Sequence, residues 1–161
     1  MKKKIAVLVN GWNNYSVIKA IDGIKRCVKH QDVDIFIFLS YAAYSQTKER
    51  NYGEDSIFNL PDYTMFDGVI IFSTMLNSLE TPAKVGKLLV DKNVKAVSIG
   101  MELPGLDYVG IENYKGMYGM VDHLVKEHHI KNPVFLAGPK QNEDSNQRLD
   151  ATIRALKDNG M

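Results

Sequence analysis

The sequence predicts an α/β protein, a doubly wound three-layer sandwich around a mostly parallel sheet. Three observations predict it. Strand-like and helix-like segments alternate along the whole chain. Several strand-like runs are apolar on successive residues, the pattern of strands buried between two helical layers. The helix-like segments carry their apolar residues on one face, at the helical period.

Each element can be justified in order. Lys4-Ile-Ala-Val-Leu-Val9 is a short apolar run that ends in Asn10-Gly11. From Tyr15 to His30, Val17, Ile18, Ile21, Ile24, Cys27 and Val28 share one helical face. Val33-Asp-Ile-Phe-Ile-Phe-Leu39 is β-branched and aromatic, as a strand requires. The region from Tyr41 to Tyr63 is weakly patterned: Tyr44 to Tyr52 reads as a polar loop and Gly53 to Leu60 as room for a short helix. Phe66 to Ser73 is the next strand. Thr81-Pro82 reads as a cap followed by proline at the first helical position, with Val85, Leu88 and Leu89 as the buried stripe. Lys95 to Gly100 and the short Asp107-Tyr-Val109 are further strands. A helix over Tyr114 to Glu127 carries Met117, Met120, Val121, Leu124 and Val125 on one face. Pro133-Val-Phe-Leu-Ala137 has strand composition. A last helix runs from about Ser145 to Asp158, with Leu149, Ile153 and Leu156 on one side and Gly160 at its stop.

Composition narrows the class. The chain has 161 residues, 45% hydrophobic and 24% charged, with net charge +1. That suits a globular domain and shows no basic stripe of the kind that grips nucleic acid. The apolar run after Met1-Lys-Lys-Lys4 is shorter than the roughly 7–15 residues of an export signal. No stretch approaches the ~20 apolar residues of a membrane span. Cys27 is the one cysteine, so an intrachain disulfide framework is excluded. These features point to a cytoplasmic protein.

Ligands of doubly wound sheets bind outside the carboxyl ends of the strands. Those ends fall at Asn10–Asn14, Ser40–Tyr44, Ser73–Leu76, Gly100–Leu103, Ile111–Asn113 and Gly138–Asn142. Trp12 and Tyr15 supply aromatic faces among asparagine amides, a combination that suits sugars and nucleosides. The structural alternative is that Trp12 covers the sheet edge while Asn13 or Asn14 caps a helix. Ser73 and Thr74 are small hydroxyl residues that leave room for a ligand, or an ordinary strand-end turn. Asn113 reads as the cap of the helix that follows Glu112. Arg148 opens the last helix and can fork onto hydroxyls or a carboxylate, or lie solvated.

Other chemistries find no support in the spacing. His123 and His128, five residues apart, fall on different faces of a regular helix, and the four histidines predict no metal site. Cys27 lies in an apolar stripe and reads as an inert thiol. The loop after the first strand has one glycine, Gly11, too few for a phosphate-binding loop. Asn10 and Ser73-Thr74 stand where a response-regulator receiver would carry acidic residues. No nucleophile–base motif and no cofactor motif is present.

Val109-Gly-Ile-Glu-Asn-Tyr-Lys-Gly116 followed by His123-Leu124 resembles the Val-x-x-Asp-Asn-x-x-Gly…His-Leu pattern of LacI/GalR-type regulators. Ala137-Gly-Pro139 and Arg148-Leu-Asp-Ala-Thr-Ile-Arg-Ala155-Leu156 extend the resemblance in the family's order. Glu112 stands for the usual aspartate, and Ala151-Thr152 for the usual Gly-Phe. The resemblance implies the N-terminal lobe of a type I periplasmic-binding-protein-like sensing domain. It places that lobe over residues 1–142, with 143–161 as the crossover and first helix of a second lobe. It implies a non-catalytic bacterial sensor in which a sugar- or nucleoside-class effector closes two lobes and shifts a two-state equilibrium. Trp12, Tyr15, Ser73, Thr74, Glu112 and Arg148 are the implied ligand residues.

Lacking most of a second lobe, the chain is expected to bind ligand weakly or not at all, and to be a piece of a longer protein. It is expected to make no direct nucleic-acid or membrane contact. A homodimer, with the Leu149–Ile153–Leu156 stripe covered by a neighbour or packed in a non-native way, is a further expectation. The output is a transcriptional response, or a diguanylate cyclase or histidine kinase led by the sensor. The contrasting reading is a small flavodoxin-like enzyme complete as it stands.

Overall fold

The computed structural model describes all residues except 1, 44, 45, 77, 79 and 141. The start of the expected polar loop, Tyr44-Ser45, therefore lies outside the described residues. The described chain divides into two compact units, Met1–Gly110 and Ile111–Met161. That division precedes the 142/143 boundary expected from the sequence.

The first unit is built on a five-stranded, all-parallel sheet. Its strands are β1 (Lys3–Asn10), β2 (Val33–Ser40), β3 (Gly68–Phe72), β4 (Ala96–Ile99) and β5 (Asp107–Val109). The spatial order is β2-β1-β3-β4-β5. β1 pairs along its whole length with β2, from Lys3 opposite Val33 to Asn10 opposite Ser40. Its other edge pairs with β3 from Ile5–Gly68 to Leu8–Ile71. The apolar run of β1 is continuous because its two faces enter two cores. Ala6 and Leu8 join Val69, Ile71, Phe58 and Tyr63. Val7 and Val9 join Phe72 on the other face. Burying each large apolar side chain contributes about 1.5–3 kcal/mol.

Helix α1 (Tyr15–Val28) covers the Val7–Val9 face through Val17 and Ile21. The Asn14 side chain caps it by accepting from the Ser16 amide at 2.9 Å. Cys27 is exposed, not buried in the stripe as its spacing suggested, because the face centres on Val17 and Ile21. Helix α2 (Lys48–Asp55) occupies most of the expected polar loop. The Thr47 side chain caps it, accepting from the Arg50 amide, and it buries no residue of its own. Without an apolar face it left no periodic signal in the sequence. Two 3-10 turns, Ser56–Asn59 and Tyr63–Met65, then seat Phe58 and Tyr63 in the core. Helix α3 (Glu80–Asp91) buries Val85 and Leu89 on the same face. Its Thr81 is already helical. The Ser78 hydroxyl, not Thr81, accepts the Thr81 amide at 3.0 Å.

The second unit contains α4 (Asn113–Lys126) and α5 (Glu143–Asp158). Asn142 caps α5 by accepting from the Ser145 amide. Gly160 closes it with φ 75, where its amide bonds Lys157 and the Met161 amide bonds Leu156. This is the paired closing pattern of a glycine helix stop. The buried face of α5 is Ala151, Thr152 and Ala155, while Ile153 is 56% exposed. The expected Leu149–Ile153–Leu156 stripe is thus displaced, because small side chains let α5 approach α4 closely. Polar bonds join the same two helices: Tyr118 hydroxyl to Asp158 at 3.0 Å, and Asn159 amide to Asp122 at 2.9 Å.

Residues 133–138 form no strand. Val134 and Leu136 are 87% and 90% exposed. A strand needs ladder partners for its backbone groups, and none among the described residues pairs with this segment.

Candidate functional site

The strand order reverses direction at β1, which sends the chain to β2 on one side and meets β3 on the other. In doubly wound sheets that switch opens a crevice beyond the carboxyl ends of the two diverging strands. Here the crevice is bordered by the loop after β1 and the turn after β3.

The loop after β1 is anchored, and its aromatics are left outside. The Ser40 hydroxyl donates to Asn10 Oδ1 at 2.9 Å, and the Asn10 amide donates to the Ala42 carbonyl at 3.0 Å. Asn10 is thereby spent on tying the ends of β1 and β2 together. Trp12 is 45% exposed and Tyr15 71% exposed. Lys19 Nζ lies 5.3 Å from the Tyr15 ring centroid, a cation–π distance. Tyr41, at the end of the adjacent β2, is 53% exposed and adds a third aromatic ring to this end of the sheet. By sequence, Tyr41 falls in the strand-end loop that begins at Ser40 and carries no motif. Its signal was its position one residue past the Asn10–Ser40 pair.

Ser73 and Thr74 part company. Ser73 is fully buried, and its hydroxyl shares a 2.6 Å hydrogen bond with Ser98, which in turn donates to the Met101 carbonyl. As the structure stands, Ser73 braces β3 against the turn after β4 and has no free hydroxyl for a ligand. Thr74 is exposed. It stands against Gly100, whose φ is 90 and whose missing Cβ would collide with the Thr74 hydroxyl and methyl. Only glycine suits both that backbone and that closeness.

A cavity of about 480 Å³ opens elsewhere in this unit, between α2 and α3, lined by Asn51, Tyr52, Asp55, Ser78, Thr81 and Lys84 among others. None of the sequence-predicted residues lines it. Its polar groups largely hold loops in place. Both ends of the Asn51 amide bond Ala43, and Thr81 donates to Asp55 at 2.8 Å.

Glu112 and Arg148 belong to the second unit. Glu112 is exposed and precedes α4 without a side-chain capping bond. Asn113 is not the cap expected from its position. It is the first helical residue, buried, and its Oδ1 accepts from Arg148 Nε at 2.7 Å. Asn113 therefore aims the guanidinium, a charge-assisted bond that constrains the planar fork. His123 and His128 also depart from expectation. α4 ends at Lys126, His129 turns the chain with φ 52, and the Ile130 amide returns to the Leu124 carbonyl. The two imidazole Nε2 atoms then stand 3.2 Å apart.

No protein-family model and no curated protein sequence matches the chain. Solved structures do. A glucose-galactose binding protein, GanP, from Geobacillus stearothermophilus superposes with a TM-score of 0.72 at 19% identity, over 98% of this chain and 54% of that one. A putative ribose operon repressor from Burkholderia thailandensis gives 0.70 at 17% identity, over 99% of this chain and 57% of that one. A periplasmic binding protein/LacI transcriptional regulator from Alkaliphilus metalliredigens, complexed with D-xylulofuranose, gives 0.67 at 15% identity, over 99% and 54%. The chain thus spans about half the length of the structures it matches, and its fold is the type I periplasmic-binding-protein-like α/β fold that LacI-family regulators carry.

Proposed function

We propose that the chain is part of a non-catalytic sensing region whose effector is a sugar- or nucleoside-class small molecule. In this reading residues 1–142 are the N-terminal lobe, and 143–161 are the crossover and first helix of the second. One observation carries the proposal: Trp12, Tyr15 and Thr74 stand exposed beside the strand-order switch while neighbouring Asn10, Ser40 and Ser73 are locked into fixed hydrogen bonds. Fixed polar anchors with exposed aromatic faces suit stacking on a sugar or base ring. Sugars bound by, or named for, the matched structures support the class. Within the second unit taken by itself, Asn113 positions Arg148, and Glu112 stands exposed at the start of α4. Ser73 is replaced by Tyr41 in the proposed set. The readout in the cell is regulatory, through transcription or another output.

Trp12 is the only tryptophan, so its fluorescence reports directly on the proposed site. Titration with D-glucose, D-ribose, D-xylulose and adenosine is expected to give a saturable change in the millimolar range with one of them. Tyr15→Ala and Thr74→Val are expected to remove it. No saturable change with any of the four, checked by saturation-transfer NMR, would overturn the assignment. Submicromolar binding by calorimetry would instead refute the idea that this chain holds only part of the specificity.

A further inference from the structure

We propose that His123 and His128 form a two-nitrogen chelate for a divalent transition ion of the kind imidazole favours, such as Zn²⁺ or Ni²⁺. The distance between their Nε2 atoms is 3.2 Å, and their ring centroids are 5.0 Å apart with planes at 75°. Two imidazole nitrogens bound to one Zn²⁺ at about 2.0–2.1 Å are separated by about 2.9 Å at a right angle and about 3.3–3.4 Å at the tetrahedral angle. The observed separation lies between these values.

The ring positions agree independently. If both Nε2 lone pairs converge on one ion, each ring centre lies about 1.2 Å behind its nitrogen, and a 3.2 Å nitrogen gap places the centroids about 5.0 Å apart. A head-on N–H···N bond of the same length would hold them about 5.5 Å apart. The observed 5.0 Å fits rings that converge.

The surroundings favour a cation. The pair sits at the carboxyl-terminal end of α4, where the helix dipole attracts positive charge. Both rings are exposed, so an ion reaches them without opening the fold. No group of three or more metal-capable side chains forms among the described residues, so water completes the coordination shell. The ion would clip the last turn of α4 to the reversing segment at His129.

Calorimetric titration of the full chain with ZnCl₂, and separately NiCl₂, tests this. One equivalent is expected to bind, and His123→Gln or His128→Gln is expected to weaken it about tenfold or more. His129→Gln and His30→Gln are expected to leave it unchanged. Circular dichroism checks that each variant is folded, and Zn²⁺ should raise the thermal midpoint of the parent chain but not of the two pair variants. The proposal is overturned if the parent takes up no metal, if either pair variant keeps the parent affinity, or if His129→Gln loses as much.

Discussion

Two apolar runs of similar kind end in opposite states. Ile5-Ala-Val-Leu-Val9 belongs to an interior strand of a sheet, with Ala6 to Val9 fully buried. Pro133-Val-Phe-Leu-Ala137 is likewise an unbroken apolar run, yet Val134 and Leu136 lie almost wholly exposed. Apolar character is common to both, and pairing is what separates them. β1 has hydrogen-bonding partners on both edges and helical or 3-10 cover on both faces, whereas 133–138 pairs with no strand among the described residues. Apolar composition makes a run able to be a strand, but ladder partners and a second layer make it one.

The largest effect that could break this comparison is at paired leucines. Leu8→Ala should cost about 2–5 kcal/mol, and Leu136→Ala should stay within about 0.5 kcal/mol. Urea unfolding measures both, and similar losses at the two positions would refute the contrast.

The next test asks whether the second unit relies on polar bonds where the first relies on apolar layers. Asn113→Ala strands the Arg148 guanidinium and should cost about 1.5–3 kcal/mol, whereas Asn113→Asp should recover much of it. An unchanged thermal midpoint in Asn113→Ala would show that the bond is incidental.

Gly100→Ala probes the proposed binding end. It forces an alanine into the left-handed region and against Thr74, and should cost about 1–3 kcal/mol. Adding Thr74→Ala should restore part of the loss, because it removes the two nearest atoms. No recovery would mean that backbone conformation alone sets the cost.

The smallest effect is electrostatic. Hydrogen bonds from the Asn159 amide, then from the Lys126 ammonium, hold the Asp122 carboxyl below its usual range. Arg154, then Tyr118, does the same for Asp158. A carboxyl lowered in the native state contributes stability above its unfolded value of about 3.9 and loses it as pH falls through the native value. Amide exchange in α4 and α5 should therefore quicken below about pH 4 before it does in β1. Simultaneous quickening would contradict the assignment.

What was legible in the sequence had a local cause. The alternation of elements, the doubly buried strands, a cap at Asn13 or Asn14 and the Gly160 stop all follow from periodicity or from a single residue's conformational preference. The exposed placement of Trp12 and Tyr15 was legible too, since a loop aromatic after a buried strand has little core to enter. α2 was missed because it buries nothing and so leaves no period.

Tertiary structure alone decided the rest. It turned Ser73 inward onto Ser98, left Thr74 outward against Gly100, and gave Asn113 to Arg148 instead of to its own helix end. It drew His128 back to His123 by reversing the chain at His129 after α4. It withheld a ladder from 133–138. Each outcome depends on a partner distant in sequence or on how the chain turns beyond a helix end, and neither is encoded in the spacing of residues along one element.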